Sequence, residues 1–179
     1  SHTFQILPSP KTAFPIFSYN AERTKLLGPA GSNKGFPFGS VSPEGGILVG
    51  FRFAKGTSFG GAIHAIQPIY QVDDRYVFGE RHGKSGGEIE TVLARSGYAV
   101  GGLNVRSGLV LNAIQVIFCE VDGYELDRTK FYQAEWVGTE GGTAYPLHST
   151  DRIAVGVAGT MEDYLHCVGL QMATARIRK

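Results

Sequence analysis

The chain has 179 residues, a length typical of one domain. Lysine and arginine (17) nearly balance aspartate and glutamate (16), and the formal net charge of +1 gives no basic surplus for a nucleic-acid backbone. No run approaches the roughly 18 consecutive apolar residues of a membrane-spanning helix, so none is predicted. Glycine occupies 25 positions, about double its usual share, and the charged fraction is only 18%. This composition favours an all-β fold.

The first 27 residues differ in character from the remainder of the chain. They contain Pro8, Pro10 and Pro15 among scattered aromatic residues. Prolines at this density are incompatible with a helix or a central strand. We therefore predict an N-terminal arm or linker over residues 1–27, laid over the surface of a domain that spans residues 28–179.

Beyond the arm, one sequence unit recurs three times. Val-Gly pairs at 49–50, 100–101 and 155–156 each close a run of alternating apolar residues, and second apolar runs begin at Ala65, Ala113 and Cys167. The apolar period of two indicates strands. A unit of about 50 residues holds about four strands. Three units therefore predict a β-prism of three four-stranded sheets with a pseudo-threefold internal repeat.

Four segments of the chain resemble the jacalin-related lectin family. They are the glycine-rich stretch at 28–38, the His-Gly-Lys-Ser-Gly-Gly turn at 82–87, the Tyr-Ala-Val-Gly-Gly strand at 98–102, and the closing pattern at 153–169. The likeness spans residues 28–172. It implies a β-prism of three Greek-key sheets and a domain that binds mannose- or galactose-type glycans without catalysis or a cofactor.

The resemblance also implies a sugar site, built from the opening glycine loop and a closing Gly-x-x-x-Asp motif. By position, the loop glycine is Gly31, and the two motif positions are held by Glu162 and His166, both departures. A carboxylate accepts charge-assisted hydrogen bonds from two hydroxyl groups, which one imidazole cannot reproduce. The backbone N–H groups of Asp163 and Tyr164 are available as donors, and the Tyr164 ring can stack on a sugar. The sequence therefore predicts a degenerate sugar site.

The internal repeat extends this prediction to the other two units. His166 directly precedes the third apolar run, and the matching residues are His64 and Asn112. One interpretation is three related shallow binding sites. The other is that these side chains cap turn backbone.

Other motifs give no enzymatic or metal-binding prediction. Gly-Thr-Ser-Phe-Gly at 56–60 spells a nucleophile elbow but lacks the following helix, and 79–85 lacks the spacing of a phosphate-binding loop. The histidine spacing indicates no metal site, and Cys119 and Cys167 are expected to be buried thiols. Trp136 either packs in the core or lies on the surface as an exposed aromatic ring, and core packing is favoured.

These observations support a carbohydrate-binding module as the leading hypothesis. Its predicted ligand-binding residues are Gly31, Asp163, Tyr164 and His166, together with His64 and Asn112, which match His166 in the other two units. The alternative is a non-catalytic protein-interaction or assembly domain that has lost sugar binding, in which the arm pairs with a neighbouring chain in a homo-oligomer. The sequence leaves the localisation undetermined.

Overall fold

The structure is a computed structural model that describes residues 7–43, 45–148 and 152–177. The first six residues of the predicted arm lie outside the described residues. In chain order the strands are β1 (Phe17–Ser18), β2 (Lys25–Gly31), β3 (Phe36–Val41), β4 (Ile47–Lys55), β5 (Ile63–Val72), β6 (Arg75–Phe78), β7 (His82–Gly83), β8 (Glu88–Leu93), β9 (Tyr98–Ser107), β10 (Leu111–Asp122), β11 (Glu125–Gln133), β12 (Val137–Gly138), β13 (Thr143–His148), β14 (Ile153–Met161), β15 (Leu165–Ala173) and β16 (Arg176–Ile177). Within the described ranges, the only helical segment is a 3₁₀ turn at Ser58–Gly60.

All strands except β1 and β16 form three antiparallel sheets. Sheet one has the strand order β2-β15-β14-β3. Sheet two has the order β6-β5-β4-β8, and sheet three has the order β11-β10-β9-β13. The short strands β7 and β12 pair with β5 and β10 beside β6 and β11, so the outer strand of these two sheets is in two pieces. The predicted all-β prism of three four-stranded sheets is confirmed.

The inner faces of the three sheets share one hydrophobic core. The alternating apolar residues of the sequence supply it, because successive side chains of a strand point to opposite faces. Fully buried members from the three sheets are Leu48, Phe51, Phe53, Leu103, Val105, Phe118, Ala154, Val157 and Leu170. Burying each large side chain contributes roughly 1.5–3 kcal/mol.

Each pair of central strands contains a β-bulge close to the repeated Val-Gly pair. Gly50, Gly102 and Gly156 hold equivalent places there. Each faces a backbone carbonyl of the neighbouring outer strand, and a Cβ atom would collide with that carbonyl. The repeat of the sequence predicts Gly101 at this place in sheet three. The bulge moves the position by one residue, so Gly102 occupies it instead.

The described part of the arm packs against the chain's own prism. Phe14 and Phe17 are 5% and 0% exposed and complete a second hydrophobic cluster with Ile47 and Ile153. Strand β1 pairs with β16, and the Tyr19 hydroxyl donates a 2.8 Å hydrogen bond to the Gly46 carbonyl. The arm therefore covers the end of the prism at which β4 and β14 begin, which we call the base. The domain boundary at residue 28 stays a prediction.

Candidate functional site

Three glycine loops lie at the opposite end of the prism, which we call the loop end. They are residues 31–35 in sheet one, 83–87 in sheet two and 138–142 in sheet three. Their first glycines, Gly31, Gly83 and Gly138, have φ values of +118°, +112° and +115°. At each of these glycines, a Cβ atom would run into a backbone carbonyl of the adjacent central strand. Only glycine therefore fits these three positions.

The three loops share the same backbone hydrogen bond as well. In each, the residue after the first glycine donates its N–H to the carbonyl that the glycine faces. The pairs are Ser32 to His166 at 2.9 Å, Lys84 to His64 at 3.1 Å and Thr139 to Asn112 at 2.9 Å. His64, Asn112 and His166 thus occupy one structural position in three sheets.

Each of these three side chains carries a buried polar atom without a hydrogen-bond partner. The atoms are Nε2 of His64, Oδ1 of Asn112 and Nδ1 of His166. The two histidines are only 5% and 7% exposed. A buried polar atom left unpaired costs about 1–3 kcal/mol. Each of the three positions therefore has a buried polar atom whose hydrogen-bonding capacity is unmet.

The glycine loop of sheet two borders a cavity of about 500 Å³. Two hairpin loops form its other walls. One is residues 56–62, which join β4 to β5, and the other is residues 162–164, which join β14 to β15. The lining residues are Lys55, Gly56, Thr57, Ser58, Phe59, His64, Lys84, Ser85, Gly87, Glu88, Asp163 and Tyr164.

Tyr164 reaches into this cavity from the hairpin loop of sheet one. Its hydroxyl accepts a 3.0 Å hydrogen bond from the Ser58 N–H. Its ring meets Phe59 edge-on at 5.2 Å and lies 5.8 Å from the His64 ring. Gly56 makes room for it, because a Cβ atom there would collide with the Tyr164 hydroxyl. Tyr164 therefore forms an aromatic wall between two sheets.

His64 is held in its neutral form at pH 7. Burial lowers the pKa of its imidazole, and the nearby charges of Arg81 and Lys84 lower the pKa further, partly offset by a hydrogen bond with the Gly86 backbone. Arg81 donates hydrogen bonds to the carbonyls of Lys84 (2.8 Å) and Gly86 (3.1 Å), which fixes the loop around the ring. A neutral imidazole offers one donor and one acceptor, and the Gly86 backbone takes one of the two.

The charges at the cavity rim largely offset one another. The Lys55 ammonium lies 3.2 Å from Glu90 and 3.6 Å from Glu88, and these carboxylates raise the pKa of Lys55. Lys84 and Asp163 contribute one further charge of each sign to the lining. The lining therefore suits an uncharged polar ligand better than an ion.

The predicted ligand-binding residues fall into three groups. Asp163, Tyr164 and His64 share the sheet-two cavity. Gly31 and His166 meet at the glycine loop of sheet one, and Asn112 stands at that of sheet three. The sequence interpretation missed two features: the Glu162 carboxylate bound to His166, and Gly56 beneath Tyr164. The four-residue spacing of Glu162 and His166 was the only available signal for the first.

The remaining motifs have structural explanations. Ser58 lies in the 3₁₀ turn, where Phe59 has a φ of +55°, and no strand-to-helix elbow surrounds it. Cys119 and Cys167 are free, buried thiols. Trp136 is 37% exposed, and the Arg106 guanidinium stacks 4.8 Å from its ring centroid, so the favoured core prediction is wrong.

The described residues include neither a candidate membrane span nor a candidate metal cluster. No helix there is long and apolar enough to cross a bilayer. No group of three or more His, Cys, Asp or Glu side chains in these ranges could hold a metal ion.

Among known proteins, no family model and no curated sequence matches the chain. Several solved structures do match it. Artocarpin complexed with methyl-α-mannose superposes with a TM-score of 0.65 at 15% identity, over 84% of this chain and 98% of artocarpin. Frutapin, a lectin from Artocarpus incisa, gives 0.64 at 16% identity, over 86% of this chain and 99% of frutapin. Single-chain recombinant jacalin gives 0.62 at 16% identity, over 84% and 95% of the two chains. The fold of this chain is that of the jacalin-related lectins.

Proposed function

We propose that this chain is a carbohydrate-binding module that binds a mannose- or galactose-type glycan at the loop end, without catalysis. Its main site is the sheet-two cavity. The observation that carries the proposal is the cavity of about 500 Å³ that the glycine loop, the His64 side chain and the Tyr164 ring line together. Sugars present hydroxyl groups and apolar C–H faces together, and these two side chains complement both.

The dimensions and polarity of the cavity also support this proposal. Its volume of about 500 Å³ lies in the range of small-molecule sites, about 300–1,000 Å³. The positive-φ glycine Gly87 lies in the lining of the cavity, where its backbone is close to any bound ligand. The similar structures add support, because one is artocarpin complexed with methyl-α-mannose and another is frutapin, a lectin.

The equivalent places at His166 and Asn112 are proposed as two further sites of the same kind. Each has the same glycine geometry and an unpaired buried atom. A module with several weak sites gains avidity on a surface that displays many copies of one glycan.

The protein-interaction alternative has less support than the sequence suggested. It rested on the missing Gly-x-x-x-Asp motif, which still favours it, and on an arm free to pair with a neighbouring chain. The described part of the arm is instead bound to its own prism through Phe17 and the β1–β16 pair. Light scattering discriminates between the two functions. A concentration-independent monomer counts against assembly, whereas a stable oligomer together with no glycan binding favours it.

The mutational test of the sugar proposal uses two tyrosines. Tyr164→Ala is expected to abolish binding to the glycan that the wild-type protein selects. Tyr124→Ala is the matched control, because this half-exposed tyrosine lies in the turn between β10 and β11, away from the loop end. Unchanged affinity in Tyr164→Ala would contradict the proposed site.

A further inference from the structure

The outer face of sheet three contains a cavity of about 250 Å³, close to the start of β9. Side chains or backbone of all four strands, β9, β10, β11 and β13, line it. Ile117 and Cys119 of β10 face it, because they alternate with Val116 and Phe118, which point into the shared core. A cavity of about 150 Å³ is enough to hold one benzene ring. The space therefore suits one ring with a small polar group attached.

The other two sheets have a side chain at the position where this cavity is lined by glycine. The bulged residue of the central strands is Val49 in sheet two and Val155 in sheet one, and both valines are buried. In sheet three the bulged residue is Gly101. A Cβ atom there would stand only 2.5 Å from Cys119 Sγ. The glycine therefore leaves room for the thiol and keeps this part of the outer face open.

The arm occupies the matching region of sheet two. Gln71 holds the position of Cys119 in that sheet, and its Nε2 donates a 2.8 Å hydrogen bond to the carbonyl of Thr12 in the arm. Ile69, which matches Ile117, is buried in the second hydrophobic cluster. No described residue of the arm lines the cavity of sheet three. A ligand from solution can therefore reach this cavity.

The floor of the cavity is apolar and uncharged. Ile117 and Cys119 form it, and they are 7% and 5% exposed. Burial raises the pKa of the Cys119 thiol, so the thiol stays protonated at neutral pH. The Phe131 ring stands at the edge of the cavity and is 58% exposed. An aromatic ring in the cavity would therefore contact apolar groups below and at one side.

The rim of the cavity is positively charged. The Arg128 guanidinium lies there, and among the described residues no side chain forms an ion pair with it. No described aspartate or glutamate lines the cavity. The neighbouring Asp127 carboxylate is engaged by the N–H and the hydroxyl of Thr129, at 2.9 and 2.6 Å. The rim therefore favours an anionic group on the ligand.

We propose that this cavity is a binding site for a small ligand with an aromatic ring and one carboxylate group. The ring packs on Ile117 and against Phe131. The Arg128 guanidinium binds the carboxylate through two parallel charge-assisted hydrogen bonds, a geometry that suits its planar fork. The inference does not depend on the sugar proposal, because the cavity lies on the outer face of sheet three and not at the loop end.

Nuclear magnetic resonance of backbone amides at pH 7.5 tests the proposal with three probes. Phenylacetate carries both groups, phenylacetamide has the same shape without the charge, and acetate lacks the ring. Millimolar affinity is typical of ligands this small, so each probe is titrated to about 20 mM. Phenylacetate is expected to shift the amides of residues 100–102, 117–119 and 128–133. Phenylacetamide should bind at least about tenfold more weakly, and acetate should leave these amides unshifted.

Three variants assign the groups that bind the probe. Arg128→Gln should weaken phenylacetate binding by at least about tenfold and leave phenylacetamide binding unchanged. Lys130→Gln is the matched control, because it removes an exposed cation of the same strand that does not line the cavity, and phenylacetate should bind it as it binds the wild type. Phe131→Ala alters an exposed position, so the fold should persist, and binding of both aromatic probes should weaken.

Three results would overturn the inference. The first is the absence of shifts at these residues with phenylacetate. The second is equal affinity for phenylacetate and phenylacetamide, which would remove the role of the carboxylate. The third is an equal loss in Arg128→Gln and Lys130→Gln, which would reduce the effect to the general charge of the surface. None of these results bears on the sugar site.

Discussion

The imidazole ring of His64 and the phenol ring of Tyr164 lie 5.8 Å apart at a 50° angle, although they belong to different sheets. The Tyr164 hydroxyl is anchored on the Ser58 N–H of sheet two. A residue of the last hairpin loop therefore completes a cavity built on the first repeated unit. The proposed function therefore requires the contact between the two sheets as much as either side chain.

Gly56→Ala tests this contact without altering either ring. The added methyl group would collide with the Tyr164 hydroxyl and displace the aromatic wall. Glycan binding at the sheet-two cavity should weaken by about tenfold or more, as for a lost hydrogen bond and packed ring. Gly39→Ala is the control, because its nearest neighbours stand at an ordinary 3.5 Å. Similar binding by the two variants would show that Tyr164 does not shape the site.

The glycine at the start of the sheet-two loop is expected to be essential for stability. Gly83→Ala combines a φ of +112° with a collision against the His64 carbonyl. Gly97→Ala has a similar φ of +86° but open space around it, so it isolates the conformational cost, about 1 kcal/mol. In urea unfolding, Gly83→Ala should lose about 2 kcal/mol more than Gly97→Ala. Equal losses would mean that the loop backbone is free to move.

The arm should contribute directly to the stability of the prism. Phe17 is fully buried in the base cluster, so Phe17→Ala should lower the free energy of unfolding by about 3–5 kcal/mol. Phe36→Ala removes the same side chain at a position that is 73% exposed, and a change below about 1 kcal/mol is expected. A comparably small effect at Phe17 would mean that the arm is not part of the folded unit.

Stability should also decrease in weak acid. Burial lowers the pKa values of both His64 and His82. As the pH falls below about 6.5, the unfolded chain binds protons that the folded chain does not, so the free energy of unfolding declines. The decline between about pH 7.5 and about pH 5.5 should be smaller in His64→Gln than in the wild type. His148→Gln changes an exposed histidine and is the control. An unchanged decline in His64→Gln would refute this account.

The features best predicted from the sequence are those that depend on residues close together in the chain. Alternating apolar residues around Val49 and Val155 specified strands and inner faces, and the position shared by His64 and His166 followed from the repeat. The bulge that puts Gly102 at the place expected for Gly101 did not follow from the repeat, because pairing across the sheet determines it. Contacts between distant segments escaped prediction for the same reason.

Two long-range contacts illustrate that limit. No local pattern places the Tyr164 hydroxyl on the Ser58 backbone, since the contact requires both hairpin loops to meet at one end of the prism. Likewise, the prolines of the arm indicated an irregular segment. They did not indicate that Phe17 fills the base, because burial depends on the empty space that three assembled sheets leave.

The most direct test of the central claim is a broad glycan array probed with the wild-type chain at high protein concentration. The account predicts reproducible binding to mannose- or galactose-type glycans that the corresponding free monosaccharide inhibits. No binding to any glycan, or binding that free monosaccharide leaves unchanged, would contradict the proposal that the loop end of this prism recognises sugars.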